Sequence, residues 1–285
     1  MKKHFLSFVL GAMLVSAPVF ATDLYLIGDA TSAGWSLESA VQMNETSADV
    51  FEWTGDLKIG ELKFLTQNDA WIPSYGPVTI DEPMVTGDVD LLLRDQDEEG
   101  TDHKFKVEAC GWYTLKVDLS DAENPTLSVS VFYPEAMFII GPAVGGWSWD
   151  DNGQQMSSEE EGIFTWKGSL SAGEFKFFEQ KDFGATAYGA NVADTELAVP
   201  GEYILEKLGS DDKKFIATEG LVKLTLDLKQ MKLIAETDST TALEDVVATG
   251  RTIIYDLRGM VCPRMEKGGV YILKQGNKTS KVITQ

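Results

Sequence analysis

Two indoles stand in segments that a folded chain would leave at its surface. Trp35 follows Ala33-Gly34, and Trp71 sits in the run from Asn68 to Gly76, NDAWIPSYG; both are built of the small and polar residues that make loops. An aromatic ring in a loop offers a large flat contact with few rotors to freeze. A sugar ring has the matching shape, an apolar face inside a polar rim. Trp53 differs, because it alternates with Glu52 and shares a face with Phe51. It reads as core, and so does Trp166.

Groups for bond cleavage are scarcer. The chain has two histidines, His4 and His103, and only His103 survives if the N-terminus is removed. His103 stands in TDHKFKV beside a predicted strand and reads as a surface residue rather than a general base. No His/Cys cluster has zinc spacing. Asp95-x-Asp97-x-Glu99-Gly100 begins like a calcium loop, but Lys106 occupies the twelfth position, where an EF-hand needs a bidentate Glu. Cys110 and Cys262 fall in different parts of the chain and read as two separate thiols. No cofactor and no metal is expected.

The elements that must hold these residues occur twice. Leu24–Pro77 realigns on Met137–Ala190: Gly28, Met43, Trp53 and Gly76 recur 113 positions later as Gly141, Met156, Trp166 and Gly189, with one compensated gap at Trp35/Trp147. That period is too long for a solenoid and fits an independent small domain. Short runs alternate apolar and polar residues, as in Leu62-Lys63-Phe64 and Phe175-Lys176-Phe177. The alternation predicts strands with aromatics inward and lysines outward. Further strands are predicted at 88–94, 104–107, 112–119 and 126–131, then at 202–207, 213–217, 221–228 and 232–235. The fold class is therefore all-β: two tandem antiparallel β-sandwich domains, immunoglobulin-like or carbohydrate-binding-module-like, plus a small C-terminal β unit. The predicted boundaries are 1–21, 22–133, 134–236 and 237–285.

Lys2-Lys3, the apolar run Phe5–Val15 and Val19-Phe20-Ala21 read as a secretory signal peptide cut after Ala21. The expected mature chain carries 22 basic and 45 acidic residues, a net charge of −23. Such a surface repels phosphate backbones, so nucleic acid is not a partner. The run Glu236–Thr241 reads as a polar connector. Beyond it, strands are predicted at 252–256, 270–274 and 281–284, with a turn at Gln275-Gly276-Asn277. A unit of that size buries little core by itself.

Taken together, IGDATSAGW, FEWTGDL, ELKF and W-x-x-x-Y-G resemble the SusE/SusF-type outer-membrane starch-binding proteins of Bacteroidetes. IIGPAVGGW, FTWKGSL, GEFKF and AYG are similar to the same module. The resemblance implies tandem modules that hold α-glucan at the cell surface without cleaving it, and a partner complex for glycan uptake in the outer membrane. It implies Trp35 and Trp71 as a stacking pair, Tyr75 near their edge, and Lys63 or Asn68 as hydrogen-bond donors to sugar hydroxyls. In the second copy Trp147 aligns with Trp35 and Trp149 adds an aromatic, while Gly184, beside Phe183, stands at the position of Trp71. A pair is expected there from Trp147 or Trp149 with Tyr188, and Lys176 as donor. IIYDLRGM, GGVYIL and KVI resemble the C-terminal sorting domain of type IX secretion. SusE/SusF proteins are usually lipoproteins and this chain shows no lipidation cysteine, so export to the outer-membrane surface or the extracellular space is expected without an assigned anchor. Two other readings stand beside glycan binding: a glycosidase using a pair of the many carboxylates, and an adhesive surface protein without glycan affinity.

Overall fold

The computed structural model describes residues 23–238, 253–257, 260–262, 264–275 and 278–283. The predicted signal peptide, the second half of the connector (239–241) and the turn residues Gly276-Asn277 lie outside them. The described chain is built of antiparallel strands and two short 3₁₀ turns, in two compact units, essentially up to Glu135 and from Ala136 onward. None of its helices is long and apolar enough to cross a membrane.

The first module contains β1 (Tyr25–Ile27), β2 (Val41–Gln42), β3 (Asn44–Ser47), β4 (Val50–Leu57), β5 (Gly60–Leu65), β6 (Ser74–Pro77), β7 (Gly87–Arg94), β8 (Phe105–Val107), β9 (Gly111–Asp118) and β10 (Thr126–Phe132). Their hydrogen-bonded order is β2-β1-β5-β6-β7-β10-β9-β4-β3, with β8 paired to β5. Strand β7 serves two sheets. Its residues 87–90 pair with β10 and its residues 91–94 with β6, so one strand carries the chain from one face of a sandwich to the other. Leu26, Leu62, Phe64 and Leu91 from one side meet Phe51, Leu115, Val117 and Leu127 from the other in one buried core. Each large side chain so enclosed contributes about 1.5–3 kcal/mol of transfer free energy.

The second module repeats the plan in β11 (Phe138–Ile140), β12 (Gln154–Gln155), β13 (Ser157–Glu160), β14 (Ile163–Leu170), β15 (Gly173–Phe178), β16 (Ala187–Ala190), β17 (Thr195–Glu196), β18 (Gly201–Leu208), β19 (Phe215–Ala217), β20 (Gly220–Asp227) and β21 (Lys232–Thr237). Its order, β12-β11-β15-β16-β18-β21-β20-β14-β13, matches the first, and β17 adds a short parallel pairing to β19. Strand β21 runs two residues into the expected connector. The tail forms an antiparallel sheet, β23 (Val261–Cys262), β22 (Ile253–Asp256), β24 (Val270–Gln275) and β25 (Lys278–Ile283), in that spatial order. Cys110 and Cys262 are free thiols.

The recurring glycines have steric reasons. Gly28 (φ +142°) lets its loop lie against β5: a Cβ there would be 2.1 Å from the Glu61 carbonyl oxygen, and at Gly141 one would be 2.3 Å from that of Glu174. Gly76, on β6, faces the 95–104 loop, where a Cβ would come 2.3 Å from the His103 carbonyl oxygen; at Gly189 the corresponding Lys213 oxygen would be 2.0 Å away. Replacing Gly76 by Ala forces that loop off the sheet. The expected cost is about 1–3 kcal/mol, read as a lower urea midpoint with an unchanged m-value; unaltered stability would show that the loop yields freely.

Candidate functional site

On the face of β5 away from the core, Glu61, Lys63 and Leu65 alternate with the inward Leu62 and Phe64. Two loops cover this face. The 28–34 loop is tied down by hydrogen bonds from Gly28 N–H to the Gly34 carbonyl (3.0 Å), Ala30 N–H to the Glu61 carbonyl (3.1 Å) and Glu61 N–H to Asp29 Oδ1 (2.7 Å). It delivers Trp35. The loop from β5 to β6 is braced by Gln67 Nε2 donating to the Ile72 carbonyl (2.8 Å) and Thr66 N–H donating to that of Pro73 (3.2 Å). It delivers Trp71.

The two indoles are 37% and 41% exposed, with ring centroids 6.5 Å apart and planes inclined at 48°. They border a cleft of about 490 Å³ lined also by Glu61, Lys63, Arg94, Asp97, Asp102 and Lys104. That volume is in the range of small-molecule sites.

Lys63 overturns the expectation of an outward, solvated lysine, being only 2% exposed. Loop 95–104 folds over it and brings in Asp102, whose carboxylate accepts a hydrogen bond from the ammonium. The same carboxylate faces Lys104 Nζ at 3.3 Å and Arg94 Nη1 at 3.6 Å. Arg94 in turn donates from Nε to Thr101 Oγ1 (2.9 Å) and pairs with Asp97, so the loop once compared with a calcium site is held by an arginine. Burial pushes the Lys63 ammonium below its ordinary pKa, an effect that Asp102 only partly offsets. Burial alone would raise Asp102, but the Lys63 hydrogen bond and the charges of Lys63 and Lys104 outweigh it and hold the carboxyl below its usual value. Both lysines reach the platform: Lys63 Nζ lies 5.4 Å from the Trp71 ring centroid and Lys104 Nζ 5.7 Å from that of Trp35.

Other expected residues fall elsewhere. Tyr75 stands opposite Phe64 in the β5–β6 register and packs against the core, so it is not at the edge of the tryptophan pair. Asn68 is exposed in the β5–β6 loop but off the cleft wall. His103 lies in the turn before β8, its Nδ1 3.0 Å from the Pro77 carbonyl oxygen. Trp53 is half-buried on the core; Trp166 is buried and donates from Nε1 to Gln154.

The second module keeps the charges and changes the rings. Lys176 Nζ meets Asp212 Oδ1 at 2.8 Å, and Lys214 Nζ meets Asp212 Oδ2 at 2.7 Å. Hydrogen bonds from both lysines hold the Asp212 carboxyl below its ordinary range. Trp147 pairs with Phe183 at 6.4 Å, so Phe183 takes the place of Trp71 and Gly184 does not. Tyr188 is a correction: it is 6% exposed, opposite Phe177 on the inner face, with its hydroxyl donating to Glu179 at 2.9 Å. Trp149 packs against Phe183, Phe178 and Phe138, with ring centroids 5.0, 5.3 and 6.5 Å away.

Glu61, Arg94, Asp102 and Lys104 were not singled out from the sequence, and Asp97 only as part of the calcium-like run. A signal for Asp102 existed in Asp-x-Lys-Phe, present as Asp102–Phe105 and Asp212–Phe215. Its spacing is 110 rather than 113, because in the second copy the β16–β18 connection is one residue longer than the β6–β7 one and the loop that follows is four residues shorter. It therefore lies outside the aligned block.

No family model and no curated protein matches the chain. Among solved structures it is similar to SusF from Bacteroides thetaiotaomicron at 14% identity, over 89% of this chain and 55% of that one, with a TM-score of 0.31. The chain thus spans about half the length of that protein, and a likeness this loose assigns neither fold nor ligand.

Removing the Asp102 side chain leaves a buried cation without its closest partner. Asp102→Ala is expected to cost about 1–2 kcal/mol, a figure kept low because the carboxylate is 40% exposed and water screens it. Since the folded pKa of Asp102 lies below 3.8, its contribution is present above that pH and lost as pH falls through the folded value. Urea titrations at pH 7 and at a series of pH values below 3.8 should show a wild-type advantage over the variant that is full at pH 7 and shrinks as the pH falls.

Proposed function

We propose that the chain is a non-catalytic, exported glycan-binding protein that takes α-glucan such as starch on the first-module cleft. The observation that carries this reading is the exposed Trp35–Trp71 pair above a charged floor. The rings offer apolar faces, and Lys63, Lys104 and Arg94 supply donors beside them. Rings inclined at 48° make a bent platform. A bent platform suits a chain that curves from one sugar to the next, as α-linked glucose does, better than the flat ribbon of a β-1,4 chain. The SusE/SusF-like sequence motifs support the same class of ligand.

Trp147 and Phe183 make the corresponding platform of the second module, with Lys176 as its donor and Trp149 packed behind Phe183. One phenyl ring gives less contact than the indole it replaces, so the first module is the stronger binder. A single site of this kind binds at about 1 mM, or −4 kcal/mol, and a linked second site raises avidity on a polymer that reaches both. An outer-membrane glycan-uptake complex, surface or extracellular location, and a tail that serves in sorting complete the proposal. All three rest on the sequence resemblances.

Affinity electrophoresis tests the reading. Residues 22–285 run through gels containing amylopectin, dextran or no polysaccharide should be retarded by amylopectin alone, and Trp71→Ala should abolish most of that retardation. Equal mobility in all three gels would sink the α-glucan reading and leave the adhesive one. Phe183→Trp should increase the residual retardation of the Trp71→Ala protein if the second platform binds.

A further inference from the structure

The cleft of the first module contains one carboxylate that touches neither tryptophan and yet is linked to both. We infer that Asp102 is the positioning residue of the Trp35–Trp71 pair, acting through two lysines to fix the distance and splay of the rings. The inference deepens the glycan-binding reading and rests on it for its functional half only.

Asp102 spans two ammonium groups, with Oδ1 accepting from Lys63 and Oδ2 lying 3.3 Å from Lys104. Each ammonium lies under a different indole, Lys63 under Trp71 and Lys104 under Trp35, at 5.4 and 5.7 Å from the ring centroids. Cation–π attraction strengthens as water is removed, and the side chains of Lys63 and Lys104 are 3% and 26% exposed. The carboxylate also holds two like charges beside each other. Without it, Lys63 and Lys104 repel each other in a partly dry cleft, and the attraction between each ammonium and its ring pulls the two loops apart. Arg94, 3.6 Å from Asp102, holds the carboxylate from the strand side. Gly76 fixes the height of the loop, because the carbonyl of His103, the next residue after Asp102, rests against it.

The second module shows the same latch with a different outcome. Asp212 spans Lys176 and Lys214 as Asp102 spans Lys63 and Lys104. Lys176 Nζ lies 6.0 Å from the Trp147 centroid and 5.2 Å from that of Phe178, a ring of the floor rather than of the rim. There the latch ties one rim aromatic to the floor, whereas in the first module it sets two rim aromatics against each other.

The test uses a signal that needs no ligand. Two indoles 6.5 Å apart and inclined to one another couple as excitons, which gives a couplet near the strong indole absorption in far-ultraviolet circular dichroism. The part of the couplet lost in Trp71→Ala belongs to this pair. In Asp102→Asn, which keeps the shape and removes the charge, that part should shrink by half or more while Glu123→Gln, at an exposed turn outside the cleft, leaves it intact. Amylopectin affinity should fall about tenfold in the same variant. If Asp102→Asn does not fold, Lys104→Met, which removes only the more exposed arm of the latch, should still reduce the couplet. On acidification the wild-type couplet should persist to below pH 3.8 and then fall as Asp102 takes a proton. An unchanged couplet in both variants would overturn the inference. Should the wild-type protein bind no glycan, the function proposed above fails by itself and the couplet still decides the role of Asp102.

Discussion

The first-module cleft depends on a buried ammonium. Lys63 projects from the middle of a core strand onto a face that two loops cover, and a charge in that position is tolerable only with a partner and hydrogen bonds. Asp102 is that partner. Because it comes from a distant loop, satisfying Lys63 requires loop 95–104 to fold back across β5 and β6. The loop then brings Arg94's partners Asp97 and Thr101, and Lys104, to the same place. One electrostatic requirement thus organises four elements that share no local sequence signal.

Steric permission is as necessary as attraction. The loop can lie on the sheet because Gly76 has no side chain to meet it, and the 28–34 loop can cross β5 because Gly28 has none either. Trp53 and Trp166 follow a related rule: Gly55 and Gly168, two residues further along, leave room for each indole to lie along its own strand, where a Cβ would come 2.6 and 2.5 Å from the ring. These recurring glycines are therefore points of close contact, with a backbone carbonyl at Gly28, Gly76, Gly141 and Gly189 and with an indole at Gly55 and Gly168.

Duplication separates what the architecture needs from what the surface can vary. Lysine, aspartate and second lysine persist in both modules, as do the glycines beneath them. The rim residue varies, from Trp71 to Phe183, and Trp149 adds a ring against which Phe183 packs. The conserved part is the buried ion pair with its supports, where a change leaves a charge uncompensated. The varied part faces solvent, where a ring can change with little cost to folding.

The sequence by itself determined the all-β class, the duplication, most strand positions and the exposure of Trp35 and Trp71, because these follow from period-two patterning and loop composition along a few neighbouring residues. It also read Trp53 and Trp166 as core. Tertiary structure decided the rest. Period two put Lys63 on the face away from Phe64, but whether that face meets water or another loop depends on residues forty positions later. The same gap misplaced Tyr75 and Tyr188, since a tyrosine beside a loop can turn either way until strand register pairs it with Phe64 or Phe177. Asp102 was missed for the same reason: its recurring Asp-x-Lys-Phe falls outside the aligned block, and an acidic residue in a loop of acidic residues acquires a role only when a glycine on another strand lets that loop come to rest upon a lysine.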